Sequence, residues 1–151
     1  LALVVDASVG LKWVLQEGDS RLAQALASSS EELLVPDFWL NEACNVLWLQ
    51  VHRKLLTPDE ARQGLALLRA QVEPTPTANM ALHDLALDIG MVVDHPAYDT
   101  MYVAFAIATG ARAAVAADGP FVRGIQKHPD PAVASLMLLL NEWAAANSPD
   151  C

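Results

Sequence analysis

The chain has 151 residues, with nine basic side chains against eighteen acidic ones and a net charge of −9. Hydrophobic residues make up 54% of it, which excludes a disordered chain, and the length allows a sizeable core without staples. The acidic balance excludes a general nucleic-acid coat, which needs a basic surface, but not an enzyme that reaches nucleic acid through a metal held by acids. Counted with glycine in place of tyrosine, the apolar share rises to about 58%, above the typical ~45–50%. The surplus is expected at a subunit interface.

Residues 1–5 form a short apolar run suited to a strand buried on both faces. Asp6-Ala7-Ser8 then offers capping chemistry for a helix over 9–16, and a second helix fits 20–27. Residues 33–35, stopped by Pro36, read as a second strand. Asp37 opens a helical pattern to about Arg53, with Leu40, Ala43, Leu47 and Val51 along one face. Thr57-Pro58-Asp59-Glu60 starts another helix, to about Ala70, with a Thr cap, Pro at the first position and acids in the first turn.

Beyond it, residues 71–76 are extended by two prolines and are expected to supply a third strand. Thr77 caps a helix through about Ile89, which Gly90 ends. A helix follows over about 98–109, closed by Gly110, and then a strand over 113–116. Asp118-Gly119-Pro120 opens a short helix to about Ile125. Pro129 and Pro131 break the chain, and residues 133–140 are expected to form a last strand. Short apolar strands alternating with helices imply one α/β domain over 1–151, its parallel sheet covered on both faces.

Cysteine usage points to a reducing compartment. Cys44 lies in an apolar stretch and reads as a buried thiol; Cys151 is a tail residue, and no zinc spacing exists. The run 1–5 is too short for a signal peptide. The longest apolar run, 101–117, contains Thr109, Gly110 and Arg112, which a membrane helix would not carry. A soluble, cytoplasmic protein is the expectation.

Four acids sit against apolar neighbours. Asp6 follows Leu-Ala-Leu-Val-Val, Glu42 lies within Trp-Leu-Asn-Glu-Ala-Cys, Asp99 precedes Thr-Met-Tyr-Val-Ala-Phe-Ala, and Asp118 follows Ala-Ala-Val-Ala-Ala. Three of them stand where a strand ends or a helix begins, and the carboxyl edge of an open parallel sheet is where ligands bind. Helix capping explains Asp6, Asp99 or Asp118 singly about as well, and a surface position beside Trp39 and Trp48 explains Glu42. If all four converged to ~5 Å at an effective dielectric of ~20, each pair would repel by about 3 kcal/mol. The six pairs would then exceed a domain's whole stability of ~5–15 kcal/mol. Such a cluster must take up protons or hold a cation, and an all-oxygen set suits Mg²⁺ or Mn²⁺.

The motifs carrying these acids resemble those of PIN-domain ribonucleases, and most closely the VapC-like toxins of bacterial toxin–antitoxin pairs. They are Val4-Val5-Asp6-Ala7-Ser8, Asn41-Glu42-Ala43-Cys44-Asn45-Val46-Leu47, His95-Pro96-Ala97-Tyr98-Asp99 with Tyr102-Val103-Ala104-Phe105-Ala106, and Ala117-Asp118-Gly119-Pro120-Phe121. They stand in the family's order and cover residues 3–143. The resemblance implies a three-layer α/β/α sandwich around a mostly parallel sheet of four to five short strands. It implies Asp6, Glu42, Asp99 and Asp118 as the catalytic, Mg²⁺- or Mn²⁺-binding quartet, with Ser8 and Asn45 as helpers. It also implies hydrolysis of RNA to 5′-phosphate and 3′-hydroxyl ends, a small antitoxin partner and a homodimer. The positions of Trp13, Trp39 and Trp48 are expected to serve that dimer. One departure is Ala116, where the family often carries Thr or Ser; a hydroxyl that would support a metal ligand is lost.

The other chemistry-bearing residues point less sharply. His52, His83, His95 and His128 fall into no ligand spacing, and His95 reads as a pre-proline loop residue. Asp94 and Glu142 read as loop and surface groups. Lys12, Arg53, Lys54, Arg112, Arg123 and Lys127 are the candidates for gripping phosphates, though solvation explains each one singly. No Walker loop and no G-x-S-x-G elbow exists. Two alternatives stay open: a catalytically inactive interaction module with the same fold, and, more weakly, a phospho-receiver-like signalling domain.

Overall fold

Leu3–Val5 and Ala113–Ala116 are wholly apolar and wholly buried, and they pair in parallel as the two central strands, β1 and β3. Leu33–Leu34 (β2) flanks β1 and Met137–Leu139 (β4) flanks β3, giving the order β2-β1-β3-β4 with every pair parallel. The computed structural model describes residues 1–148. The helices are α1 (Ala7–Gly10), α2 (Ser20–Ala27), α3 (Trp39–His52), α4 (Pro58–Gln71), α5 (Leu82–Val93), α6 (Ala97–Thr109), α7 (Gly119–Gln126), α8 (Pro131–Ala134) and α9 (Leu140–Asn147), with a 3-10 turn at Leu11–Trp13. From β1 the chain winds outward to β2, then crosses back to β3 and β4. Parallel crossovers keep one hand, so this reversal distributes helices to both faces, the expected three-layer sandwich. Helix α6 packs on β1 and β3, while α9 packs on β3, β4 and α2.

Local chemistry accounts for most boundaries. Helix α4 begins with a full capping box: Thr57 Oγ1 accepts from Glu60 N at 3.1 Å, and Glu60 Oε1 accepts from Thr57 N at 3.0 Å. Helix α6 ends at Gly110, whose φ of 66° suits glycine. At Gly10 a Cβ would stand 2.2 Å from Cζ2 of Trp39, so glycine there lets α1 approach α3.

Several expectations are corrected. Residues 71–76 form no strand; a single parallel bridge joins Pro36 to Thr75. Pro74 and Pro76 lack the N–H groups that a ladder needs. Thr77 caps no helix, because its N–H and hydroxyl both donate to Asp37, at 3.1 and 2.7 Å, and α5 starts at Leu82. Asp37 is therefore a cross-chain brace, and α3 starts at Trp39. Gly90 lies buried inside α5, which runs on to Val93. The expected strand over 133–140 divides: Asp130 caps the short α8, Met137–Leu139 forms β4, and α9 takes the rest.

Cys44 is exposed, not buried; Cys151 lies outside the described residues. Trp39 is buried and tilts against Trp13 at 6.1 Å, so these two rings serve the core and not an interface. Trp48 is 58% exposed. Among the described residues, no helix is long and apolar enough to cross a membrane.

Candidate functional site

The chain reverses its winding direction at β1, so a crevice opens beyond the carboxyl ends of β1 and β3. Asp6 follows β1 directly, and Asp118 stands two residues beyond β3. Glu42 comes from the first turn of α3 and Asp99 from the first turn of α6. All four line one cavity of about 410 Å³, together with Ser8, Lys12, Glu17 and Val46. The four carboxylates singled out from sequence thus share one site.

Three of the four carboxylates, Asp6, Asp99 and Asp118, are held by hydrogen bonds to their neighbours. Asp6 is only 5% exposed. It caps α1 with one oxygen, Oδ2, which accepts from Ser8 N at 2.9 Å and from Ser8 Oγ at 2.5 Å. Its other oxygen, Oδ1, is buried and has no hydrogen-bond partner. Ser8 in turn accepts from Ala117 N at 3.0 Å, tying α1 to the end of β3. Asp118 caps α7 through Phe121 N at 3.2 Å. His95 Nε2 donates to Asp99 Oδ2 at 2.6 Å, and the imidazole stacks on Phe121 with centroids 4.9 Å apart. A Cβ at Gly90 would meet the His95 carbonyl at 2.8 Å, so glycine in α5 lets this histidine seat.

Burial sets the electrostatics. It pushes the Asp6 carboxyl up to about 6, against the lowering effect of Ser8, with further upward contributions from Asp99 and Asp118. It pushes Glu42 up to about 7, and the charges of Asp6 and Asp99 add to the rise. Tyr102, one turn beyond Asp99 on α6, lies buried beside Glu42 and Asp6, and both drive its phenol further toward the neutral form. Its ring packs edge-on against Phe38 at 5.3 Å.

The acids are spread more widely than full convergence would require. Among the described residues, no three His, Cys, Asp or Glu side chains are gathered as a ready ligand set. The donors still suit a hydrated hard cation. Mg²⁺ keeps several waters and takes only one or two carboxylates directly, the donor set is all oxygen, and the orphaned Oδ1 of Asp6 lacks a partner that a cation or its water would supply.

Asn45 is the helper that does not reach this cavity. It is exposed and opens onto a larger, mainly apolar groove of about 1020 Å³ between α3 and α5–α6, lined also by Glu42, Leu87, Tyr98 and Met101. Ala116 is fully buried in β3 and lines neither space. Arg112 precedes β3 at the opposite edge of the sheet, where it pairs with Glu31. Of the basic candidates, Lys12 lines the acidic cavity. Sequence reasoning missed His95 as a partner of Asp99, and it missed Glu17 and Tyr102. Tyr102 had a signal, since it stands three residues after Asp99 on α6 and shares its face; His95 precedes the helix, and its place in the loop before Pro96 gave none. Glu17 lies in a turn and had none.

These features define an α/β domain with a carboxylate-lined cavity at its sheet switch point. No protein-family profile matches the chain, and no curated protein matches it. Among solved structures it is similar to the crystal structure of PAE2754 from Pyrobaculum aerophilum, with a TM-score of 0.69 and 15% identity over 97% of this chain and 88% of that one. A likeness at that identity speaks for the fold alone.

Proposed function

We propose that this chain is a metal-dependent endoribonuclease of PIN type, which hydrolyses RNA phosphodiester bonds to 5′-phosphate and 3′-hydroxyl ends. The observation that supports it best is the meeting of Asp6, Glu42, Asp99 and Asp118, from four separate elements, at one cavity. Bound Mg²⁺ or Mn²⁺ would neutralise the acids, lower the pKa of a water and polarise the phosphate. Asp6 would hold the cation through its free oxygen while Ser8 fixes the other. Asp99 would be oriented in the same way by His95. Glu42, on the cavity wall beside these acids, would be placed to take up a proton from the attacking water. The test is incubation with RNA and Mn²⁺, followed by analysis of the fragment ends. Cleavage that EDTA abolishes and that leaves 5′-phosphates is expected. Absence of both cleavage and Mn²⁺ binding would favour the inactive interaction module.

The same reading places the protein in the cytoplasm as the toxin of a toxin–antitoxin pair. With a net charge of −9, the metal-free cavity repels RNA and attracts a basic segment. An antitoxin arginine, whose planar fork matches a carboxylate, is the inhibitor this field favours. Exposed Leu87, Met91, Val92 and Tyr98 on α5–α6 support a homodimer, which takes over the role first expected of Trp13 and Trp39. Light scattering should return twice the 16.2 kDa chain mass; a 16.2 kDa particle at high concentration would overturn the dimer.

A further inference from the structure

Lys12 is a buried cation in an acidic cavity. It is 7% exposed, sits on the 3-10 turn that continues from α1, and opens on the same space as Asp6, Glu42, Asp99 and Asp118. Its ammonium pairs with Glu17 and, at 2.7 Å, with Asp19. Burial alone would lower its pKa, but the hydrogen bonds and charges of Asp19 and Glu17 outweigh that and hold the lysine charged.

Bracing the turn does not account for this arrangement. Ser20 already pins the turn: its Oγ donates to Leu15 O at 3.0 Å and accepts from Glu17 N at 2.9 Å, and its N–H donates to Glu17 O at 3.1 Å. The Glu17 backbone is thus fixed independently of Lys12, while its side chain is 45% exposed and lines the cavity. Asp19 is equally exposed, but of the two carboxylates only Glu17 lines the cavity, so Glu17 is the partner that can be rehydrated there and exchanged. A phosphodiester oxygen in its place would leave the buried ammonium paired throughout, and Asp19 would keep it aimed.

We propose that Lys12 is the phosphate-binding group of this cavity, exchanging the Glu17 carboxylate for a backbone phosphate of the RNA while Asp19 holds it in place. The role rests on the ribonuclease reading. It gives an acidic site one attractive contact for an anionic chain, close to the carboxylates that would hold the metal.

The probe is a short labelled oligouridylate in Ca²⁺, confirmed intact on a gel, with binding followed by fluorescence anisotropy across a salt series. Lys12→Met should weaken binding about tenfold and flatten the slope of log K against log salt by about 0.7, the value for one phosphate contact on a single strand. Mn²⁺ affinity, measured separately by calorimetry, should stay level or rise, because a positive charge has left the cavity. A merely structural lysine would move both affinities downward and leave the slope alone. Lys12→Arg should keep the slope. Glu17→Gln should tighten oligouridylate binding several-fold, and this gain should vanish in the Lys12→Met background. Unchanged affinity and slope in Lys12→Met overturn the role. If that variant does not fold, unchanged affinity in Glu17→Gln overturns it instead. Failure of the wild-type protein to bind oligouridylate at any salt overturns the ribonuclease reading, and the Lys12 role with it.

Discussion

Asp6→Asn is expected to abolish metal-dependent RNA cleavage while making the metal-free protein harder to melt at pH 8. Asparagine is a good N-cap, so its side-chain oxygen retains the bonds from Ser8 that start α1. What is lost is the charge on the buried oxygen that has no partner. Several kcal/mol of transition-state stabilisation rest on a correctly held metal, and about 3 kcal/mol is already more than a hundredfold in rate. Stability moves the other way. The Asp6 carboxyl titrates at about 6 when folded, against 3.8 ordinarily. Keeping it ionised above pH 6 therefore costs about 3 kcal/mol, at 1.36 kcal/mol per pKa unit. A gain of several degrees in Tm is expected by calorimetry. Wild-type cleavage by this variant would remove Asp6 from the site.

The parts of the fold legible in the sequence are those whose signals are local. The α4 capping box needs only residues 57–60, and the central strands need only their unbroken apolar runs. The misread parts depend on distant partners. Thr77 carries every mark of an N-cap, yet Asp37, forty residues earlier in the chain, takes both its donors. Residues 133–140 are apolar but for Ser135, and their division among α8, β4 and α9 follows the pairing of Ala114, Val115 and Ala116 with Met137, Leu138 and Leu139. Periodicity does not see that register.

The candidate site divides in the same way. Asp6 and Asp118 follow buried strands, which makes their place at the sheet edge legible, although each also caps the helix that begins there and capping alone explains them as well. A surface position beside Trp39 and Trp48 explains Glu42 equally well, and capping or the helix dipole explains Asp99; only the packing of α3 and α6 over the sheet brings them to the cavity. Asn45 shows the limit of helical spacing. Three residues from Glu42, it shares a broad face with it, yet it opens on the neighbouring groove. Lys12 reads as one basic residue among nine, because nothing in the sequence says that its head will be buried between Glu17 and Asp19.

The metal-free protein is expected to lose stability as the pH rises from about 4 to about 7, the reverse of ordinary acid denaturation. Asp6 and Glu42 have folded pKa values of about 6 and about 7, above their ordinary 3.8 and 4.5. Between those limits the folded state binds more protons than the unfolded one, so the slope of unfolding free energy against pH is negative. Asp6 contributes about 3 kcal/mol to the fall; Glu42, partly open to solvent, contributes less after screening. Asp19 and Asp37 act on the acid side instead, because Lys12 and Thr77 hold their pKa values below the ordinary 3.8. Their stabilisation is present above that value and is lost only as the pH falls below it. A stability maximum near pH 4–5 results. Mn²⁺ competes with protons for the same oxygens. It should raise Tm strongly at pH 8, by about 2.7 kcal/mol of stabilisation at a hundred times its Kd, and hardly at all at pH 5. Thermal melts at both pH values, with and without Mn²⁺, make the test. A metal-free Tm that climbs steadily from pH 5 to pH 8, or an equal Mn²⁺ effect at the two, would mean that Asp6 and Glu42 are not the groups that take up the cation.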